Sequence, residues 1–317
     1  MSELAASIRG VSFQYGSFKA LDNLSFDVNA ASFFGLLGPN GSGKTTLFRI
    51  LSTLMPPAQG SCSVQGFDTI KNPREVRQCI SMIFQQPSLD EELTVRENLT
   101  FHAQMYGLRG ASMKERITSL AKRMGIEDRL DSRVKSLSGG LKRRADIVRG
   151  ILHKPKVLLL DEPTTALDPA ARHSFWQMLT SLRAEEQLTL ILATHLLEEA
   201  ETCDDVVILD EGKVAIQGNP DDLRESLGPQ MLWLTTADPE KLAALIKLQL
   251  SLEVTVVEEA VCVADQNASQ LLPDLYKSFG ELIDSATVRK PTLEDVFLTS
   301  TGVQFQAREA EREIVSA

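Results

Sequence analysis

Nine consecutive residues, Gly38-Pro39-Asn40-Gly41-Ser42-Gly43-Lys44-Thr45-Thr46, have the composition of a loop that cradles a phosphate. The glycines let the backbone curl until several N–H groups face one anion, and a helix N-terminus behind them adds a positive dipole end. Lys44 is spaced to reach the β- and γ-phosphates of a nucleotide, and the Thr45 hydroxyl to bind Mg²⁺. Further on, Asp161-Glu162 closes the apolar run Val157-Leu158-Leu159-Leu160. A carboxylate pair at the C-terminal end of a strand faces the crevice where open α/β sheets bind ligands. Asp161 is placed to hold Mg²⁺ through water and Glu162 to polarise an attacking water. A second apolar run, Leu188 to Ala193, ends in Thr194-His195. Two strands with such ends argue for one shared site, although a strand-end histidine taken alone is more often structural.

Other residues carry weaker signals. Leu137-Ser138-Gly139-Gly140-Leu141 opens a helical pattern, so it is either a second anion-binding end or an N-cap serine with a flexible start. Tyr15 ends an alternating segment upstream of the phosphate loop, where a ring could stack on a base or serve as an ordinary strand aromatic. Gln85 follows the apolar run Ile80 to Phe84 and could offer its amide oxygen to Mg²⁺ or remain a solvated loop residue. Asp168 can cap a helix that has Pro169 in its first turn.

The elements that position these residues follow from hydrophobic period. Val11, Phe13 and Tyr15 alternate, as do Leu24, Phe26 and Val28, which predicts two half-buried strands. Phe33 to Leu37 is a buried strand before the loop, and Leu47, Ile50, Leu51 and Leu54 mark a helix after it. Short strands are expected over Ser61–Gln65 and Ile80–Phe84, with helices over Arg74–Gln78, Thr94–Tyr106 and Met113–Met124. The helix after Ser138 should bury Leu141, Ala145, Val148 and Leu152. Asp210-Glu211-Gly212-Lys213 reads as a hairpin turn between Val206–Leu209 and Val214–Gln217. The β/α alternation up to Gly218 is that of a doubly wound parallel sheet. Beyond Gly218-Asn219-Pro220 the pattern becomes β-α-β-β-α-β plus a terminal helix over Leu293–Leu298, a ferredoxin-like order with no second glycine-rich loop.

The chain has 317 residues, 43% hydrophobic and 24% charged, with a formal net charge of −10. That size suits an α/β domain plus a smaller one, and the acidity lacks the basic footprint of a nucleic-acid binder. Cys62, Cys79, Cys203 and Cys262 are scattered, without zinc or iron–sulfur spacing. Neither a signal peptide nor a membrane-spanning run of 18 apolar residues is visible.

Taken in order, Tyr15, Gly38 to Thr46, Gln85, Leu137 to Leu141, Val157 to Glu162, Ala166 to Asp168 and His195 resemble the A-loop, Walker A, Q-loop, signature, Walker B, D-loop and H-loop of an ATP-binding cassette (ABC) ATPase. The resemblance implies a P-loop NTPase fold: a RecA-like α/β core, an antiparallel β subdomain and a helical signature subdomain over about 86–153, all within 1–220. A smaller α+β domain, regulatory or dimerising, would cover 221–306, followed by a charged tail over 307–317. It also implies ATP and Mg²⁺ as ligands, with Tyr15 on adenine and Gly38, Pro39, Asn40, Gly41, Ser42, Gly43, Lys44, Thr45 and Thr46 around the triphosphate. Thr45, Gln85 and Asp161 would position the metal, Glu162 would be the catalytic carboxylate, and His195 would contact the γ-phosphate. Ser138 and Gly140 would act in trans across a head-to-tail homodimer, and Gly139 and Asp168 would also contact the nucleotide. The glutamine usual after Ser-Gly-Gly is Leu141 here. Pro87-Ser88-Leu89-Asp90, Leu93 to Leu99 and Pro291 to Leu298 are similar to segments of drug-resistance and nodulation-type export ATPases, which work with a separate membrane permease at the inner face of the membrane. A soluble, non-transport cassette ATPase of DNA repair or translation is the alternative.

Overall fold

The computed structural model describes residues 3–305 except 166, 251, 253, 258–259, 266–267 and 304; the charged tail at 307–317 lies outside the described residues. Contacts divide the chain into two units, one of residues 1–36, 42–195 and 211–213, the other of 37–41, 196–210 and 214–317.

The first unit opens with two long antiparallel strands, β1 (Leu4–Tyr15) and β2 (Phe18–Asn29). Among their apolar residues Ile8, Val11, Leu24, Phe26 and Val28 are buried, with a shift of register between Ile8 and Val11. All five residues of β3 (Phe33–Leu37) are buried, as an uninterrupted apolar run requires. The phosphate-loop helix α1 (Lys44–Leu51) is shorter than its apolar stripe predicts. The chain leaves it through Thr53 in the left-handed region (φ 63), so Leu54 is exposed instead of joining the buried face. Next come β4 (Gln59–Val64) and β5 (Phe67–Asp68), which complete a sheet of order β2-β1-β4-β5. Then α2 (Pro73–Cys79) leads into β6 (Ile80–Ile83).

Three helices follow. Thr94 and Glu97 form a capping box at the start of α3 (Val95–Met105), and α4 (Gly110–Arg123) packs beside it. The third, α5 (Gly139–Ile151), packs on both of these and on β6. Its approach to the sheet is close: a methyl group on Gly150 would come within 2.8 Å of Ile83 Cδ1 and 2.9 Å of Ser81 Oγ. The unit closes with β7 (Val157–Asp161), α6 (Pro169–Glu186) and β8 (Thr189–Thr194). The strands β3, β8, β7 and β6 lie side by side, and the pairs β6–β7 and β7–β8 are parallel. This is the α/β core with an antiparallel sheet and a helical subdomain that the motifs imply.

The second unit contains α7 (Leu197–Ala200), β9 (Asp205–Asp210), all but the first residue of its hairpin partner β10 (Lys213–Gly218), and α8 (Pro220–Ser226). Glu211 (φ 48) and Gly212 (φ 74) make the two left-handed steps that a two-residue hairpin turn needs. After them come β11 (Gln230–Thr235), α9 (Pro239–Leu250), β12 (Val254–Val257), β13 (Ala260–Asp265), α10 (Ala268–Phe279), β14 (Ser285–Arg289) and α11 (Leu293–Thr301). The sheet order β12-β13-β11-β14, antiparallel throughout, is that of a ferredoxin-like split βαβ unit. Leu232, Leu234, Val261 and Val263 pack with Leu242, Ile246, Leu275 and Phe279 from α9 and α10 in one core. β14 begins at Ser285, after Gly280–Leu282 closes a 3-10 turn.

Candidate active site

The parallel register brings the polar strand ends together. Asp161 sits opposite Ala193 across β7 and β8, and the Glu162 N–H donates to Ala193 C=O at 2.9 Å. Ile83 pairs with Leu160 on the other side, so Gln85 emerges beside the same edge. Around Glu162 three side chains converge: His195 Nδ1 at 3.1 Å from Oε1, Gln85 Nε2 donating to Oε2 at 3.2 Å, and Thr165 Oγ1 donating to Oε2 at 3.4 Å. The backbone of Glu162 is left-handed (φ 44), which costs a residue with a Cβ about 1 kcal/mol. The carboxylate is thus aimed at some expense to the fold.

Charge on the two acids is set differently. Burial pushes the Glu162 carboxyl up, but the hydrogen bond and charge of His195, the charge of Lys44 and the Thr165 hydroxyl together hold it below the ordinary glutamate value. Asp161 goes the other way: burial and the neighbouring Glu162 raise it, only partly offset by Thr45, Lys44 and Arg49. An Asp161 raised by crowding is the acid that a bound cation would relieve.

Thr45 Oγ1 lies 3.4 Å from Asp161 Oδ1, so a hydroxyl and a carboxylate share one spot. Hard oxygen donors of this kind fit Mg²⁺, and the destabilised charge on Asp161 supports the fit. Gln85, the third expected metal residue, donates its amide nitrogen to Glu162, a contact that does not use the amide oxygen expected to face the metal. The loop before Thr45 has the backbone an anion site needs. Gly43 (φ 107) has no room for a side chain, since a methyl group there would fall 2.5 Å from Ala20 C=O. Lys44 begins α1 and is buried, and among the described residues the buried Ser42 hydroxyl has no hydrogen-bond partner. Gly38 and Pro39 are buried, Asn40 half-buried and Gly41 exposed with φ 75; Thr46 is buried within α1.

Tyr15 is 44% exposed beside the C-terminal part of α1, its hydroxyl near Arg49 Nη1 (3.4 Å) and Met55 Sδ (3.7 Å). The exposed ring leaves a face for stacking. Ser138 and Asp168 cap their own helices, accepting from Leu141 N–H at 3.4 Å and Ala171 N–H at 2.8 Å. Ala166 lies outside the described residues. Thr165 and Arg49 were not singled out from sequence, because a threonine in a loop and an arginine on a helix carry no spacing signal. Arg143 is another such residue; it is buried on α5, and its guanidinium donates to loop carbonyls.

Comparison with known proteins supplies the lineage. The ABC transporter family matches residues 21–165. A Nod factor export ATP-binding protein I from Rhizobium sp. (strain N33) is 37% identical over 309 residues, covering 96% of this chain and 100% of that protein. Daunorubicin resistance ATP-binding protein DrrA3 of Streptomyces coeruleorubidus is 34% identical over 98% of this chain and all of its own length. Among solved structures, cbiO1 of Clostridium perfringens, part of the ABC transporter complex cbiONQ, matches with a TM-score of 0.66 and 28% identity over 78% of this chain and 96% of cbiO1. Full-length similarity to export ATP-binding proteins sets aside the repair or translation alternative. With the acids and the histidine already converging at the ends of parallel strands, these matches show that the chain belongs to the ABC transporter family as an ATP-binding ATPase subunit of the exporter type.

Proposed function

We propose that Gly38 to Thr46 wraps the triphosphate of ATP, with Lys44 on its β- and γ-phosphates and Tyr15 on adenine, and that Glu162 is the catalytic base. Thr45, Asp161 and Gln85 would hold Mg²⁺, which supplies charge neutralisation on the phosphate oxygens. Glu162 accepts a hydrogen bond from a water in line with the γ-phosphorus. As the water oxygen bonds to phosphorus, the bond to the β–γ bridging oxygen breaks, and the water's proton passes to Glu162, leaving ADP and phosphate. His195 stabilises the charge on the γ-phosphate. The observation that carries this reading is the convergence of Gln85, His195 and Thr165 on a Glu162 held in a strained backbone. Glu162→Gln should bind ATP as the native chain does while turnover drops by a factor on the order of 10² or more. Equilibrium nucleotide binding beside phosphate release checks it, and full turnover in the variant would overturn the assignment.

The second half of the site would come from a second copy of the chain. A methyl group on Gly139 would meet nothing within 4 Å, and one on Gly140 only Leu167 at 3.9 Å. Neither has positive φ, so this chain's own fold does not demand the glycines. An approaching phosphate of a partner's ATP supplies the missing reason, with Asp168 alongside. The permease would dock on the unit that carries Gln85, where Phe101, Met105 and Tyr106 are exposed beside a cavity of about 420 Å³. Among the described residues no helix is long and apolar enough to cross a membrane, in keeping with attachment through such a subunit at the inner face of the membrane. The cargo would be a drug, lipid, glycan or similar substrate, a range that takes in the Nod factor and daunorubicin of the relatives' names. We read residues 1–220 as the nucleotide-binding domain, and 221–306, with its own sheet and core, as a regulatory or dimerisation domain.

A further inference from the structure

Arg143 is 4% exposed, and its guanidinium spends its donors on backbone. Nη1 donates to Phe84 C=O at 2.6 Å, Nη2 to Gln85 C=O at 2.7 Å, and Nε to Pro163 C=O at 2.6 Å. Asp146, one turn along the same face of α5, is fully buried and accepts from the Ser88 N–H at 3.3 Å and from Arg149 Nε at 2.9 Å. One turn of α5 thus grips the 84–88 loop at both ends and the residue immediately after Glu162. On the other side of that grip, the Gln85 amide rests on the Glu162 carboxylate.

Arg143 Nη1 also lies 3.7 Å from Asp146 Oδ2, and burying such an ion pair with three carbonyls is an expensive way to fill space, since apolar residues of the same volume are often neutral or better. What the arrangement provides is orientation. We propose that Arg143 is a positioning residue for hydrolysis: it locks Gln85, Glu162 and the head of α5 into one rigid piece, so that the placement of Ser138 sets the aim of the catalytic carboxylate. The proposal rests on the reading of Gln85 and Glu162 given above. It makes the cassette's own hydrolytic geometry sensitive to whatever engages the exposed Ser138–Gly140 end, five residues or fewer along the same helix.

The test compares Arg143→Met and Arg143→Lys in the intact chain, with turnover referred to nucleotide sites counted by titrating the same sample with a fluorescent ATP analogue, so that misfolded protein is not scored. Arg143→Met should lower kcat by roughly 30-fold, a misplacement of about 1 Å being enough, while KM for ATP stays within about threefold. The Mg²⁺ concentration for half-maximal turnover should rise, and Arg143→Lys, which keeps the charge but reaches fewer carbonyls, should fall between Met and native. If Arg143→Met leaves no countable sites, Arg143→Lys alone decides by the same kcat and Mg²⁺ criteria. Native kcat in the variants, or a kcat loss that follows melting temperature with no change in Mg²⁺ dependence, overturns the proposal. Gln85→Ala and Glu162→Gln run alongside separate the two levels. If both retain turnover the reading of the site fails, whereas if both are inactive and the Arg143 variants are native only the positioning role fails.

Discussion

At Glu162 and His102 burial acts on charge with opposite outcomes. Glu162 stays ionised because His195, Lys44 and Thr165 outweigh its desolvation, which suits a base that must accept a proton. His102 has no such help: burial, with Arg149 and His153 nearby, pushes it down to about 4, and among the described residues its buried Nε2 has no hydrogen-bond partner. A histidine with a folded value near 4 and an unfolded value near 6.5 gives stability that is complete above about pH 6.5 and is lost as pH falls toward 4, because only the unfolded chain takes up the proton in that window. We expect the unfolding free energy to drop by about 2 kcal/mol across it, after allowance for partial exposure, and His102→Gln to flatten that slope in urea titrations at several pH values. A variant with the native slope would remove His102 from the account. None of this was legible beforehand, since His102 reads as one polar residue on the helix predicted over Thr94–Tyr106. The strand-end acids were legible, because an apolar run closed by Asp-Glu has few other uses in an α/β sheet.

Helix α5 shows where periodicity succeeds and where it misleads. Its start at Ser138 and the burial of Ala145, Val148 and Leu152 follow the predicted stripe. The stripe leaves out Arg143 and Asp146, both buried, and Leu141 is only half-buried. Charged residues enter a core when other groups satisfy them; beside the local pairs of Asp146 with Arg143 and Arg149, the backbone partners here are 20 to 59 residues away in sequence, beyond any local pattern. The exposed head of the same helix carries a prediction. Ser138→Arg should leave ATP affinity of the monomer unchanged, because that side chain is exposed and caps its own helix turn. Turnover should fall more than about tenfold, because a bulky cation blocks the approach of a second copy. Size-exclusion chromatography in the Glu162→Gln background measures the dimer directly; weakened nucleotide binding by the monomer would count against the role in trans.

At the scale of the whole chain, the β-α-β-β-α-β order of the second unit was readable because each element carries its own period and the turns between them are marked by polar residues. What was not readable is how α11 is fixed. Asp295 is fully buried in a two-bond pair with Arg289 (2.6 and 2.8 Å), and also accepts from Thr292 N–H and Oγ1. Arg289 in turn lies 5.1 Å over the Trp233 ring. Asp295→Ala should destabilise this unit by roughly 2–3 kcal/mol, less than a fully buried pair because Arg289 keeps some contact with water. Differential scanning calorimetry should show the loss in the transition of the C-terminal elements, with ATP affinity unchanged. An equal loss of nucleotide binding would mean that the two units do not unfold separately.

The left-handed backbone at Glu162 has an evolutionary consequence. Glycine or asparagine would sit there with less strain, gaining up to about 1 kcal/mol of stability. On the catalytic role proposed for Glu162, selection for folding alone therefore drifts toward a chain that would still bind nucleotide and no longer consume it. Glutamate at this position is maintained against that drift only where turnover itself is under selection.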